Sequence, residues 1–248
     1  MINFFRKNRF SLIENNKTGA YLKYALGEII LVMIGILLAF QVNAWSELRK
    51  EKNDEQSLYL SLIWSLESDL SDANDKISIV SKSIISQEVF IVNSFDEVKD
   101  EVDENELDNL LNSVRASSRS FFPNYTLYDK ISNNNQIELI RSSELQMSII
   151  ELYEQHYKRY NDIDLNLEHL MVFSFSANYF SKIEDRVIIN NGQYLMDFEI
   201  LKRDYDVLNI ECRKIHDMTI IAHSSMMECK REIESLLSSL RNEVEGNK

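Results

Sequence analysis

Proline occurs once, as Pro123, and glycine five times, as Gly19, Gly27, Gly35, Gly192 and Gly246. Strand hairpins and α/β turns need residues that tolerate positive φ, usually glycine. Past residue 45 only Gly192 and Gly246 remain, which argues against a sheet-rich fold and for long helices joined by Asn-, Asp- and Ser-containing loops. Cysteine is scarce too: Cys212 and Cys229 are too few for a disulfide framework and lack metal-finger spacing. No Gly-rich phosphate loop, dinucleotide fingerprint, Gly-x-Ser-x-Gly elbow or His-Glu-x-x-His pair occurs, so nucleotide chemistry of those types is not expected, while a hydrolase built from distant carboxylates stays open. Basic charge is short: 27 Lys and Arg stand against 40 Asp and Glu. Residues 46–248 hold 22 of those bases and 38 of those acids, a net of -16 that repels nucleic acid. A hydrophobic content of 44% is ordinary for a folded chain, so disorder is not expected.

What is present begins with an apolar run. From Ile29 to Phe40 twelve residues carry no polar side chain, and the stretch reaches Ala25 and Trp45 once Glu28, Gln41 and Asn43 are admitted near its ends. As a helix, residues 25–45 rise about 31 Å, the thickness of a bilayer's hydrocarbon core. Tyr21, Tyr24 and Trp45 stand where interfacial aromatic residues lie. A signal peptide cut after Ala44 is the rival reading; the long region before the apolar run and the polar Gln41 and Asn43 favour retention. Five bases precede the span (Arg6, Lys7, Arg9, Lys17, Lys23) and three follow it closely (Arg49, Lys50, Lys52), which predicts a cytoplasmic N-terminus and an external domain. Residues 1–24 then form a basic cytoplasmic leader. Phe4, Phe5, Phe10, Leu12 and Ile13 suit a short interfacial helix there, with a disordered leader as the alternative.

Residues 46–248 read as helical. Leu58, Leu62, Leu66, Leu70, Ala73, Ile77, Val80, Ile84 and Ile91 recur at intervals of mostly three or four, predicting one long helix over 46–93 that continues the span. Eight of the thirteen residues from Asp96 to Asp108 are acidic, a solvated connector rather than a calcium loop, since EF-hand spacing is missing. Asp103-x-x-Glu106 closes it as a helix start. A short helix is expected over Thr126–Ser132, a turn at Asn133–Asn135, and a capping box at Ser143-x-x-Gln146. The middle helix carries Leu145, Ile149, Leu152, His156, Tyr160, Ile163, Leu167, Leu170, Phe173, Ala177 and Phe180 on one stripe. After a loop at 187–194, where a minor strand pair fits, the last stripe runs Leu208, Cys212, Ile215, Thr219, Ala222, Met226, Cys229, Ile233, Leu237, Leu240 and Val244. The fold class is all-α: an N-terminal transmembrane helix followed by an elongated extracytoplasmic bundle, in which the first and last long helices pack Leu62, Leu66, Leu70 and Ile77 against Cys212, Met226 and Ile233.

The run Tyr24-Ala25-Leu26-Gly27-Glu28, then Gly35, Ala39, Gln41, Asn43, Trp45 and Glu47, resembles the N-terminal signature of a family of uncharacterised membrane proteins from Bacteroidota-type bacteria. Thr126-Leu127-Tyr128, Ile131-Ser132, Ile137-Glu138-Leu139-Ile140, Leu145, Tyr153 and Tyr157 resemble its middle motif, with Asn133–Asn135 in place of a Ser-Gly turn. No activity comes with the family. The resemblance implies a retained anchor and a Gram-negative inner membrane.

Candidate sites are few. Cys212, His216 and His223 fall within about 40° on a helix. They could hold a soft metal, but packed thiols flanked by polar residues explain them with less, and no metal or cofactor is expected. His156 among Tyr153, Tyr157 and Tyr160 reads as a hydrogen-bonded core histidine rather than a general base. Glu67 and Asp69 lie on different faces and do not pair as acid and base. On the span, Glu28, Val32, Gly35, Ala39 and Asn43 share one face, a candidate self-association surface because Gly35-x-x-x-Ala39 lets backbones approach. The expected function is therefore a non-enzymatic, membrane-anchored scaffold or assembly protein whose partners are the membrane and further copies of itself, with another membrane or periplasmic protein as the remaining candidate and no nucleic acid. Two alternatives stand beside it: a homo-oligomeric pore lined by Glu28, and a periplasmic helical ligand-binding sensor.

Overall fold

The structure is a computed structural model that describes residues 18–181, 188–190, 193–195 and 198–246. The expected leader lies outside the described residues up to residue 17, and so do Asn191 and Gly192 of the expected loop. Helix α1 (Thr18–Val92) is unbroken, as the adjoining apolar and amphipathic patterns predicted. The chain divides into two units, residues 1–56 and 57–248.

In the first unit α1 carries the apolar run. Among the described residues it is the one helix long and apolar enough to cross a membrane, with a window of mean hydropathy 2.3, none of it buried. Leu26, Ile29, Leu31, Ile36, Leu37 and Phe40 are each more than half exposed. A soluble protein's core helix would have these side chains covered.

The second unit is a helical bundle. Short helices α2 (Phe95–Glu101) and α3 (Glu104–Arg115) follow α1, then α4 (Thr126–Asn133). A continuous helical run comprises α5 (Ser143–Glu151), a π-helical segment Leu152–Tyr157, α6 (Lys158–Leu170) and a second π-helical segment Met171–Phe180. Strands β1 (Ile188–Asn190) and β2 (Gln193–Leu195) pair antiparallel with Ile189 opposite Tyr194, close to the expected minor hairpin. Helix α7 (Phe198–Gly246) closes the chain.

The acidic stretch differs from the solvated connector expected of it, because it is largely helical. Ser94 and Glu97 form a capping box for α2, which buries Val98, and Asp103 and Glu106 form another for α3. Carboxylates in these first turns favour the positive ends of the helix dipoles, so an acidic run need not be a loop. The turn after α4 behaves as predicted, with Asn135 left-handed at φ 55°. The cap of α5 falls one residue earlier than expected. Ser142 Oγ accepts from Leu145 N–H, while the Gln146 carboxamide donates to the carbonyls of Ile137 and Ile140.

Helices α1 and α7 run antiparallel through the unit: Arg241 meets Glu67 at 2.7 Å, His223 meets Ser81 at 2.8 Å, and the Tyr205 hydroxyl donates to the Asn93 carbonyl. Their stripes are buried largely as the spacing predicts, in two apolar clusters. One gathers Leu62, Leu66, Phe121, Tyr153, Met226 and Ile233; the other Phe90, Leu107, Phe175, Leu208, Cys212 and Ile215. Met226 and Ile233 therefore share a cluster with Leu62 and Leu66 as predicted, and Cys212 does not, because antiparallel packing carries it to the Phe90 end. A second correction concerns Phe173 and Ala177, which are exposed. The π-helical segment advances less than 100° per residue, so its inward positions become Met171, Phe175 and Tyr179, with Phe180 inward as expected.

Where the two clusters meet, α1 turns polar. The Gln87 carboxamide donates to Ser117 Oγ at 2.8 Å and Thr219 Oγ1 at 3.2 Å, and its oxygen meets His216 Nδ1 at 3.1 Å. Ser83 Oγ meets Ser117 Oγ at 2.8 Å. Ser83, Gln87, Ser117 and Thr219 are all buried, so this is a satisfied polar layer inside the bundle.

Candidate functional site

The segment around Pro123 has no helical ladder, and its backbone donors are taken up one by one. Phe121 N–H donates to Tyr160 Oη, Phe122 N–H to Asp72 Oδ2, and Asn124 N–H to Asp69 Oδ1, at 2.9, 3.2 and 3.1 Å. Pro123 has no N–H to place. Two carboxylates on α1 thereby pin this segment to the helix, and the Asn124 side chain accepts from Thr126 N–H as α4 starts.

Asp69 is the centre of that arrangement. It is buried, and it accepts the Tyr157 hydroxyl at 2.9 Å. Burial pushes its carboxyl up to about 6, against the opposing pull of Tyr157 and the Asn124 N–H. The π-helical segment Leu152–Tyr157 supplies both Tyr153 and Tyr157 to this wall. Tyr153 stacks on Tyr128 at 4.4 Å and meets Tyr157 edge-on at 5.0 Å. Burial holds both phenols well above the usual tyrosine range. The hydroxyls of Tyr153 and Ser65 are both buried and interact with each other.

On the outer side of this wall lies an open groove of about 520 Å³, walled by Leu60, Trp64 and Leu127 and edged by Ser65, Asn124 and Lys130. Trp64 is 71% exposed. One helix face and one pinned segment therefore bound a mostly apolar groove.

The second π-helical segment builds a matching polar cluster. Ser174 Oγ donates to Glu211 at 2.6 Å, and Asn178 Nδ2 and Lys214 Nζ reach the same carboxylate at 3.0 and 2.6 Å. Burial alone would raise the Glu211 carboxyl; Lys214, Ser174 and Asn178 outweigh it and hold the group below the usual range. Each π-helical segment thus meets one buried carboxylate on a long helix.

The residues singled out in the sequence fall as follows. Cys212 is a buried free thiol in the second cluster. His216 meets Gln87 and His223 meets Ser81, so the three do not converge; eleven helical residues separate Cys212 from His223, about 16 Å. Burial lowers the His223 imidazole. His156 is half-buried with Nδ1 3.6 Å from Glu228, and its carbonyl accepts from Cys229 Sγ. Glu67 is committed to Arg241 and Asp69 to the Pro123 segment, on the two faces predicted. In the first unit Val32 is 55% exposed, a Cβ on Gly35 would meet nothing within 4 Å, and the Asn43 carboxamide donates along its own helix to Glu47 at 3.1 Å. Asp69, Gln87 and Glu211 were passed over as buried anchors. A signal existed: Leu66-Asp69-Ala73, Val80-Ser83-Gln87-Phe90 and Leu208-Glu211-Ile215 place polar residues in phase with the apolar stripes.

Comparison with known proteins places the chain in a family. Residues 28–200 match a family of unknown function (DUF6090), and the chain belongs to it. The match takes in the acidic stretch and both π-helical segments, and ends as α7 begins. No curated protein and no solved structure matches the chain.

Proposed function

We propose that this family member is a non-enzymatic, single-span inner-membrane assembly protein of a Gram-negative bacterium, with a cytoplasmic N-terminus, a periplasmic helical domain and self-association through residues 25–45. The observation that carries this reading is the uncovered apolar window of α1, whose side chains need lipid or protein around them. Within it Glu28, Val32, Gly35, Ala39 and Asn43 lie within about 80° of one another on the helix. The space above Gly35 admits a neighbouring backbone, and small Ala39 one turn further on widens the same approach. Gly35→Ile is expected to lower the subunit count in crosslinked native membranes while leaving helicity unchanged. An unaltered oligomer, or a monomeric wild type, would sink the self-association reading.

The orientation has its own test. A reporter active only in the periplasm, fused after Lys248, is expected to be active; activity confined to a cytoplasmic reporter would reverse the topology. The pore alternative, lined by Glu28, requires ion flux in protein-loaded liposomes that Glu28→Gln alters. The sensor alternative is favoured by one observation, the groove beside Trp64.

A further inference from the structure

We infer that the groove beside Trp64 binds a small amphipathic carboxylate, with an apolar body of roughly phenyl size against the indole and the anionic head on Lys130. The volume of about 520 Å³ lies within the range of small-molecule sites, and the walls are of the kind such sites use, apolar surface with a few polar groups. Leu60 and Trp64 are 57% and 71% exposed, so a ligand covers surface that the fold leaves bare. The opposite wall, from Asn124 to Lys130, is fixed in advance because Asp69 and Asp72 hold the backbone of Phe122 and Asn124. A wall already ordered does not have to be ordered by the ligand.

The charge of the head follows from the lining. Lys130 is the single charged residue around the groove. It is exposed and makes no ion pair among the described residues. An apolar body with one anionic head matches the indole and leucine walls and the single free ammonium, whereas an amine would face Lys130 with like charge.

The test uses the full chain in lipid nanodiscs carrying Trp45→Phe, which leaves Trp64 as its one indole. Tryptophan emission is titrated with 4-phenylbutyrate, 4-phenylbutanol and 4-phenylbutylamine, with empty discs subtracted. The expected result is a saturable change with the carboxylate at about fivefold higher affinity than with the alcohol. Lys130→Gln should erase that preference and leave the alcohol unchanged. Leu60→Glu, at an exposed position, should abolish saturation while thermal unfolding stays as in the parent. Equal affinities, tightest binding of the amine, no saturable change, or saturation that persists in Leu60→Glu would each overturn the assignment.

Discussion

Leu66→Ala is expected to lower the stability of the helical domain by about 2–5 kcal/mol, the range for a leucine removed from a core that relaxes only in part. Leu66 is 0% exposed and sits in the cluster with Leu62, Tyr153 and Ile233. The adjacent Glu67 meets Arg241 on α7, an exposed pair that offsets little of such a loss. Leu60→Ala, six residues away on the exposed face, supplies the comparison and should stay within about 0.5 kcal/mol. Denaturant unfolding followed by circular dichroism measures both. A loss well under 1 kcal/mol at Leu66 would mean that the stripe is not the core of this bundle.

Asp69→Ala is expected to cost about 2–4 kcal/mol for a different reason. It strands two donors, the Tyr157 hydroxyl and the Asn124 N–H, each worth about 1–3 kcal/mol when buried without a partner, and it relieves a carboxylate that burial already disfavours. Asp69→Asn keeps the shape. Its amide oxygen can accept from Asn124 N–H, and its NH2 can donate to Tyr157 Oη, so most of the loss should be restored. The pH dependence separates the two effects. With the carboxyl raised from 3.8 to about 6, the folded chain between those values holds a proton that the unfolded chain has released. The stability contributed by protonated Asp69 is therefore complete below about pH 4 and is lost as pH rises through 6. Half-buried Asp164 is raised likewise and Glu211 is lowered, so the wild-type curve alone is a sum of opposing slopes. The difference between wild type and Asp69→Asn isolates this group. A constant difference from pH 4 to 7 would show that Asp69 titrates alike in both states.

How much of this was legible beforehand depended on whether a local rule decided the outcome. The scarcity of glycine and the spacing of the stripes were sufficient for an all-helical chain, since nothing tertiary competes with a 3.6-residue repeat over forty residues. Asp103-x-x-Glu106 and the Asn135 turn follow from chemistry within four residues. The cap at Ser142 does not. Ser143-x-x-Gln146 fits the motif better, but the Gln146 carboxamide is drawn instead to the carbonyls of Ile137 and Ile140 in the preceding turn. Phe173 and Ala177 were assigned inward by extrapolating a constant repeat through a segment that is π-helical. The groove was illegible because it joins Trp64 to Lys130 across sixty-six residues of chain.

The polar layer around Gln87 settles a choice that the apolar stripes leave open. Leu58, Leu62, Leu66 and Leu70 repeat every fourth residue, so sliding α1 along α7 by one turn would set leucine against leucine again. Such slipped isomers are nearly degenerate for any interaction that depends only on apolar area. The same slide, about 6 Å, would carry Gln87 away from Ser117 and Thr219 and leave a carboxamide facing hydrocarbon. Gln87 therefore acts less as a source of strength than as a key that admits one alignment of the two longest helices and penalises the others.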